Sequence, residues 1–155
     1  MKLSIVEKLV FLRQAPLLRE LPSEELLLAA RLAREVELPA SEVLFREGEP
    51  GGTMYVVVSG AVRITTRQTG TECELAVMGP GAILGEMSIF ADEVRSATAT
   101  AAEPVGLLSF DGAGITELVM EHPSIALAFL KQMAARVMQA NRFAAGARPP
   151  SGREG

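Results

Sequence analysis

The sequence predicts an α+β domain in which helices flank a core of short antiparallel strands. Apolar residues recur at helical spacing near both ends of the chain, whereas the middle consists of short apolar or alternating runs that glycine interrupts. Many short strands separated by turn sequences indicate a sandwich or a small barrel. The chain has 155 residues, 48% of them hydrophobic, so it can bury one core of ordinary size.

The amino-terminal segment, residues 1–37, is predicted to be helical. Helical periodicity extends from Ser4 to about Glu37, and Pro16 divides it into two helices. Ser23 is the expected N-cap of the second helix, because acidic residues follow it in the first turn. Three leucines are expected to pack the connection onto the core: Leu17, Leu18 and Leu21.

The middle segment, residues 38–110, is predicted to contain the strands. The expected strands are residues 43–45, 54–58, 61–64, 75–78, 98–101 and 106–110. Turn sequences rich in glycine and proline separate them. Cys73, the single cysteine, is interpreted as a small strand residue, because one thiol cannot close an internal disulfide or form a metal-binding pair.

The carboxy-terminal segment, residues 111–143, is predicted to form two helices. Asp111 is the expected cap of a short helix, and Pro123 is expected to begin a longer one. Residues 146–155 are predicted to be a disordered tail because they are rich in glycine and proline. The domain is therefore expected to span residues 1–145.

The last helix is predicted to have two apolar sides. One side carries Ala126, Phe129 and Met133, and the other carries Leu127, Leu130, Ala134, Val137 and Asn141. Spacings of three and four residues in the second series are typical of a short heptad seam. This side is therefore expected to pair with a partner helix, either in a homodimer or in an unidentified effector protein.

Charge and composition argue against several kinds of partner. Fifteen basic and 19 acidic residues give a net charge of −4, which does not favour binding to nucleic acid. No apolar run reaches the roughly 18 residues that a membrane-spanning helix needs, and no secretory signal is evident. The expected location is the cytoplasm, with no membrane partner.

An enzymatic function is not predicted. His122 is the only histidine, and it precedes Pro123 at a helix boundary, where it is expected to lie on the surface. A metal-binding jelly roll needs several histidines or clustered carboxylates, so neither a metal site nor a catalytic residue is expected. No nucleophile elbow, P-loop or dinucleotide fingerprint is present.

The segment from Gly79 to Thr98 departs from the strand pattern and carries the candidate binding chemistry. Gly85 allows a close approach of the backbone to a ligand. Residues 87–90 are predicted to form one helical turn whose free N–H groups could bind an anion. Arg95 follows an irregular loop that could return it to the same pocket, and arginine binds phosphate bidentately.

Two neighbouring residues complete this candidate site. Ser96 supplies a hydroxyl donor, and Glu86 supplies a carboxylate that could accept hydrogen bonds from a sugar hydroxyl. Together with the arginine, these groups predict a pocket for a phosphorylated ribose.

The segment from Leu84 to Phe90, followed by Arg95 to Thr98, resembles the phosphate-binding cassette of the cyclic-nucleotide-binding domain family. Residues 45–60 resemble the strand, turn and strand that precede the cassette in that family. The similarity extends over residues 17–143. It implies an antiparallel β-roll, a double-stranded β-helix or jelly roll, that binds a cyclic nucleotide.

The resemblance implies a role for each matched residue. Glu86 would hold the ribose 2′-hydroxyl and Arg95 the cyclic phosphate, while Ser96 would contact phosphate or base. Backbone groups would come from Gly85, Met87, Ser88 and Ala97. Leu75, Val77 and Met78 fall where the family lines the base, although each is equally explained as a strand residue.

Asn141 has two interpretations. The resemblance places it where bacterial members carry a polar residue near the purine edge. An asparagine at this heptad position is equally explained as a device that fixes the register of a paired helix.

The predicted function is a regulatory sensor that binds cAMP or cGMP, with cAMP favoured, and transmits binding through movement of the carboxy-terminal helices. The alternative is a dimerisation or docking module of the same fold with a degenerate or ligand-independent pocket. Bacterial transcription factors of this family continue into a helix-turn-helix domain, which this sequence does not contain. A stand-alone sensor domain is therefore expected.

Overall fold

A computed structural model describes residues 2–16 and 18–147. Leu17 and residues 148–155 of the predicted tail lie outside the described residues. The elements, in chain order, are α1 (Ile5–Gln14), α2 (Ser23–Leu32), β1 (Arg34–Leu38), β2 (Val43–Phe45), β3 (Thr53–Ser59), β4 (Val62–Gln68), β5 (Thr71–Met78), β6 (Ile83–Leu84), α3 (Glu86–Phe90), β7 (Thr98–Ala101), β8 (Val105–Asp111), α4 (Gly112–Glu121) and α5 (Pro123–Ala147).

The described strands form two four-stranded sheets in which every pairing is antiparallel. The strand order is β1-β8-β3-β6 in the first sheet and β2-β7-β4-β5 in the second. Neighbouring strands are mostly distant in sequence, so the chain winds back and forth between the two sheets. With α1 and α2 before the strands and α4 and α5 after them, the predicted α+β architecture and its β-roll are confirmed.

The first sheet is buried on both faces, which explains the continuous apolar runs in its central strands. In β3, Met54 and Val56 pack with the helices, while Val57 packs inside the β-roll. In β8, Leu108 and Leu107 divide between the two clusters in the same way. Alternate residues of a strand face opposite sides of the sheet, so a sheet covered on both faces needs apolar residues at every position.

The helices cover the outer face of this sheet. Leu12 of α1, Leu26 of α2 and Ile125 of α5 are buried in the cluster that also contains Phe110. The connection between α1 and α2 is packed as expected, because Leu18 and Leu21 are buried. The helical ends of the chain therefore pack together on one side of the β-roll.

The prediction of helix up to Glu37 is wrong. The second helix ends at Leu32, and β1 pairs along its whole length with β8. The physical reason lies in the alternation after Ala33. Val36 and Leu38 both pack against the cluster inside the β-roll. Residues two positions apart lie on the same face of a strand but on different sides of a helix, so only a strand buries both.

One predicted helix cap is wrong, and another lacks its side-chain hydrogen bond. Pro22, not Ser23, is the N-cap of α2, and the Ser23 hydroxyl accepts a hydrogen bond from Arg13 instead. Asp111 is the N-cap of α4, as predicted, but its side chain makes no capping hydrogen bond. Pro123 begins α5 as predicted, because its missing N–H is not needed in the first turn.

The hairpin formed by β4 and β5 is longer than predicted. The strands continue to Gln68 and restart at Thr71, joined by Thr69 and Gly70, both at positive φ. These outer residues are polar, so apolar alternation does not reveal them, whereas backbone pairing holds them in place. Cys73 lies in β5, as interpreted, and is exposed.

The last helix presents its two predicted apolar sides differently. Phe129, on the first side, is buried, whereas Leu127, Leu130 and Val137, on the second side, are exposed. The helix continues to Ala147, so Gly146, the expected first residue of the tail, is helical. Among residues 2–16 and 18–147, no helix is long and apolar enough to cross a membrane.

Candidate functional site

A cavity of about 520 Å³ lies between the second sheet and α3. This volume is within the range of roughly 300–1,000 Å³ that is typical of small-molecule sites. The lining residues are Phe45, Ile64, Met78, Ile83, Leu84, Gly85, Glu86, Met87, Ser88, Ala91, Glu93, Val94, Arg95, Ser96 and Ala97. The predicted phosphate-binding segment therefore forms most of the wall of one cavity.

Gly85 shapes the start of α3 for two separate reasons. Its φ is 82°, in the left-handed region that favours glycine. A Cβ at this position would lie 2.3 Å from Nη1 of Arg95 and 2.9 Å from the carbonyl oxygen of Thr53. Only glycine leaves room here for the arginine head.

Arg95 is buried at the centre of this wall, with 6% of its surface exposed. Its Nη1 donates a hydrogen bond to Oγ of Ser88 at 3.0 Å, and the guanidinium lies 4.1 Å from the ring centroid of Phe45. Its backbone is fixed by hydrogen bonds to Gly48 and Glu49. Both the main chain and the side chain of Arg95 are therefore held in one position.

The Arg95 guanidinium has no counter-ion in the described part of the chain. Its Nε is buried without a hydrogen-bond partner, and no carboxylate forms a salt bridge with it. Burial lowers the pKa of Arg95, while Tyr55 and Glu49 raise it. A buried cation whose direct contacts are all with neutral groups is costly, so an anionic ligand would offset that cost.

Ser88 connects the arginine to the backbone around the cavity. Its hydroxyl donates to the carbonyl oxygen of Gly85 at 2.8 Å and accepts from the N–H of Gly52 at 3.2 Å. A Cβ on Gly51 would lie 2.1 Å from Cβ of Ser88. Gly51 is therefore required by the close packing of the loop after β2 on α3.

Glu86 is the first residue of α3 and is 6% exposed. Nη1 of Arg136, on α5, donates a hydrogen bond to its Oε1 in a salt bridge. Arg136 is half-exposed, whereas Glu86 is buried. This pair joins the cavity wall directly to the last helix.

Part of the cavity lining is apolar. Ile64 of β4, Met78 of β5 and Ile83 of β6 line it together with the buried Ala97. Met78 lies in the cavity, where the resemblance places it. Leu75 and Val77 do not line it: they are 58% and 54% exposed, because alternate residues of β5 face away from the roll.

The other predicted site residues occupy different positions around the cavity. Met87 and Ser96 line it but are exposed at its rim. Asn141 is exposed on α5 and is not among the lining residues, so this chain alone does not bring it to the site. His122, expected on the surface, is only partly exposed at the end of α4.

Sequence reasoning misses three contributors to the site. It assigns Phe45 and Ile64 only to strands, and it gives Arg136 no role. Arg136 follows Phe129 and Met133 at helical spacing, which places it on the side of α5 that faces the domain. That spacing is the one signal in the sequence that could have suggested a contact with the cavity.

The arrangement can hold an amphipathic anion. The lining combines a buried guanidinium, a serine hydroxyl, a buried carboxylate that can accept hydrogen bonds from hydroxyl groups, and several apolar side chains. Eight of the predicted site residues line this one cavity: Met78, Gly85, Glu86, Met87, Ser88, Arg95, Ser96 and Ala97. The chemistry of this lining suits a small anion with a hydroxyl group and an apolar body.

Comparison with known proteins specifies that class. A family model described as the cyclic nucleotide-binding domain matches residues 35–122, more than half of the chain. The chain belongs to the cyclic nucleotide-binding domain family.

Individual relatives agree with this assignment. A CRP-like cAMP-activated global transcriptional regulator of Mycobacterium tuberculosis is 35% identical over 107 residues, which cover 68% of this chain and 48% of that protein. The crystal structure of the N-terminal domain of a transcriptional regulator from Streptomyces coelicolor has a TM-score of 0.76 at 34% identity and covers 92% of this chain and 99% of that one.

A kinase regulatory domain is also similar. The regulatory domain of Toxoplasma gondii PKA, in complex with cAMP, has a TM-score of 0.70 at 27% identity and covers 74% of this chain and 44% of that one. The chain spans about half the length of the curated regulators it matches.

Proposed function

We propose that this domain is a regulatory sensor that binds cAMP in the cavity beside α3 and transmits binding through α5. The observation that carries the proposal is the buried Arg95 guanidinium, which has no counter-ion in the described chain and faces a cavity of suitable size. A cyclic phosphate carries one negative charge on a group that arginine recognises bidentately.

The phosphate would bind at the arginine end of the cavity. Arg95 would supply the charge, and Ser88 would hold the guanidinium in place. Backbone N–H groups at the start of α3, beginning at Glu86 and Met87, and the backbone of Ala97 would complete the site, since the first donors of a helix lack internal partners. Ser96, at the rim, would donate a hydroxyl to phosphate or base.

The ribose would bind at Glu86. Its carboxylate is buried and lies at the cavity wall, where it can accept a hydrogen bond from the 2′-hydroxyl. The base would lie against Ile64, Met78 and Ile83, which offer apolar contact and no polar discrimination between purines. The choice of cAMP over cGMP is therefore supported by the relatives, which include a cAMP-activated regulator and a kinase regulatory domain in complex with cAMP.

Transmission would use the contacts between α3 and α5. Arg136 bonds to Glu86, and the rings of Phe90 and Phe129 meet edge to face at 5.2 Å. A nucleotide that binds Glu86 would compete with Arg136 for the carboxylate. An arrangement of α5 with the salt bridge intact and one with it broken would therefore have different affinities for the ligand. Such a difference is what a ligand needs to shift a conformational equilibrium.

The output surface would be the exposed side of α5. Leu127, Leu130 and Val137 are all more than half exposed on this side, at heptad spacing. We propose that a second copy of the chain pairs with this surface.

A regulatory role is supported by the relatives that are named as transcriptional regulators.

The alternative is a dimerisation module that does not respond to a nucleotide, which the exposed apolar side of α5 would also support. Isothermal titration calorimetry with cAMP and cGMP separates the two. Saturable binding of either nucleotide supports the sensor. A stable dimer by analytical ultracentrifugation, with no heat from either nucleotide, supports the module.

A further inference from the structure

A polar cleft lies next to β4, apart from the cavity beside α3, which we call the nucleotide cavity after its proposed ligand. Its volume is about 470 Å³, and the two cavities share no lining residue. The cleft is lined by Val43, Arg46, Glu47, Arg63, Thr65, Thr66, Arg67, Glu72, Thr98 and Thr100. In β4, Ile64 lines the nucleotide cavity while its two neighbours line this cleft, so the strand separates the two sites.

The carboxylates in this cleft are already engaged by the protein. Oε1 of Glu47 accepts from the N–H of Arg67 at 2.9 Å, and its Oε2 accepts from the hydroxyl of Thr66 at 3.0 Å. Glu72 pairs with Arg63 at 3.6 Å. Neither glutamate therefore bonds to the guanidinium group of Arg46 or Arg67, the other two arginines of the cleft.

The guanidinium groups of those other two arginines have no direct partner among the described residues. The side chains of Arg46 and Arg67 have neither a hydrogen bond nor a salt bridge to any of the residues that the structure describes. They are exposed on one cleft in a chain with a net charge of −4. Concentrating unpaired positive charge at one place on an acidic protein favours an anion there.

The rest of the lining supplies neutral donors for the same anion. Thr98 accepts a hydrogen bond from the N–H of Glu47 at 2.9 Å, which leaves its hydroxyl proton free to donate. Thr65 and Thr100 add two more hydroxyls from the paired strands β4 and β7. Guanidinium groups beside hydroxyl donors are the usual recognition chemistry for phosphate oxygens.

We infer that this cleft binds a small phosphomonoester, with Arg46 and Arg67 as its charged ligands and Thr98 and Thr100 as neutral ones. Three arginines against two glutamates leave the lining with a net charge of +1, which attracts a monoester carrying roughly 1.5 to 2 negative charges near neutral pH. Val43 is the only apolar residue in the lining, so the ligand needs no apolar body. Inorganic phosphate itself is therefore a sufficient probe.

The test is a titration of the full chain, uniformly labelled with ¹⁵N, with inorganic phosphate, followed by NMR. Saturable shifts are expected at the amides of residues 63–67 and 98–100. A parallel titration with ribose 5-phosphate distinguishes the sources of the phosphate group: tighter binding than inorganic phosphate indicates a phosphorylated metabolite, and equal binding indicates free phosphate.

Substitutions test whether Arg46 and Arg67 are the charged ligands of the phosphate. Arg46→Gln together with Arg67→Gln is expected to weaken phosphate binding by about tenfold or more, because each lost charge-assisted hydrogen bond contributes substantially. Arg31→Gln, on the exposed face of α2, is the control and is expected to bind phosphate like the unmodified chain. Spectral overlay at residues outside the cleft checks that the double variant is folded.

Two outcomes overturn the inference. Shifts that grow linearly with phosphate, without saturation, indicate ionic-strength effects only. Saturable shifts confined to Gly85–Ser88 place phosphate in the nucleotide cavity and leave the polar cleft without a ligand.

Discussion

Arg136 of α5 donates a hydrogen bond to Glu86, the first residue of α3, across 50 positions of sequence. The carboxylate is buried and the guanidinium is half-exposed. This pair is the polar link between the wall of the nucleotide cavity and the helix that carries the exposed apolar side. Under the proposed function, a ligand that binds Glu86 would act on the position of α5 through this pair.

Removing this link is expected to loosen α5 without collapsing the cavity. Arg136→Met keeps much of the apolar stem of the side chain but removes the charge, so amides of residues 130–147 should exchange with deuterium faster in the variant. Arg142→Met, an exposed change on the same helix, is the control and should exchange like the unmodified chain. Unchanged exchange in Arg136→Met would mean that the salt bridge does not hold the helix.

Gly85→Ala is expected to destabilise the domain by more than the strain of its backbone angle. Gly70→Ala is the matched control, because Gly70 has a φ of 78°, close to the 82° of Gly85, but has nothing within 4 Å of the position that an added methyl group would take. Both changes should cost about 1–2 kcal/mol for a left-handed residue. Overpacking against Arg95 should cost Gly85→Ala about 1–3 kcal/mol more.

Urea denaturation of the two glycine variants measures the difference between their free energies of unfolding. Equal losses would show that Arg95 moves aside at no cost, and would contradict the tight packing described for the cavity wall. Nucleotide affinity should fall only in Gly85→Ala.

Arg95→Met is expected to raise the melting temperature of the nucleotide-free domain. Burial lowers the pKa of Arg95, with opposing contributions from Tyr55 and Glu49. A cation whose pKa is lowered by folding destabilises the folded state at every pH where it stays protonated, and the penalty disappears only above its pKa. The gain should therefore be the same at pH 6 and pH 8.

Differential scanning calorimetry at the two pH values tests this expectation, with Arg31→Gln as a surface control. A melting temperature several degrees below that of the unmodified chain would show that Arg95 stabilises the fold. Arg95 would then have a structural role, and its burial would not indicate a ligand.

The exposed side of α5 is expected to support a dimer. Leu130→Glu with Val137→Glu places two charges on this side, where Leu130 is 64% exposed, and should convert a dimer to a monomer in sedimentation velocity. Gln139→Glu, an exposed change on the same helix, should leave the dimer intact. A monomeric unmodified chain at micromolar concentration would contradict the proposed pairing.

Much of the fold could be predicted because its central strands are buried on both faces. Apolar runs such as residues 54–58 and 106–110 need no alternation when both faces of a sheet are covered. Sequence reasoning misses β1 because this five-residue strand begins only two positions after the last residue of α2, so its short alternation is taken as a continuation of the helix. β6 contains only two residues, too few for any periodic signal.

The site was predictable where its residues are close in sequence and not where they are distant. Gly85 to Ser88 and Arg95 lie within one segment, whose composition already indicates anion binding. Strand pairing brings Phe45 to the cavity, and helix packing brings Arg136 to Glu86 in the cavity wall; local sequence patterns do not report either contact. The resemblance places Leu75 and Val77 near the base, but the pleat of β5 turns them outward.

Isothermal titration calorimetry of the unmodified chain and of Arg95→Met, each with cAMP and with cGMP, tests the central claim most directly. The predicted result is saturable binding of cAMP to the unmodified chain, weakened about 100-fold or more in Arg95→Met because a buried charge-assisted interaction is lost, and unchanged in Arg31→Gln. Absence of binding by the unmodified, folded chain, or equal affinity in Arg95→Met, would contradict the account.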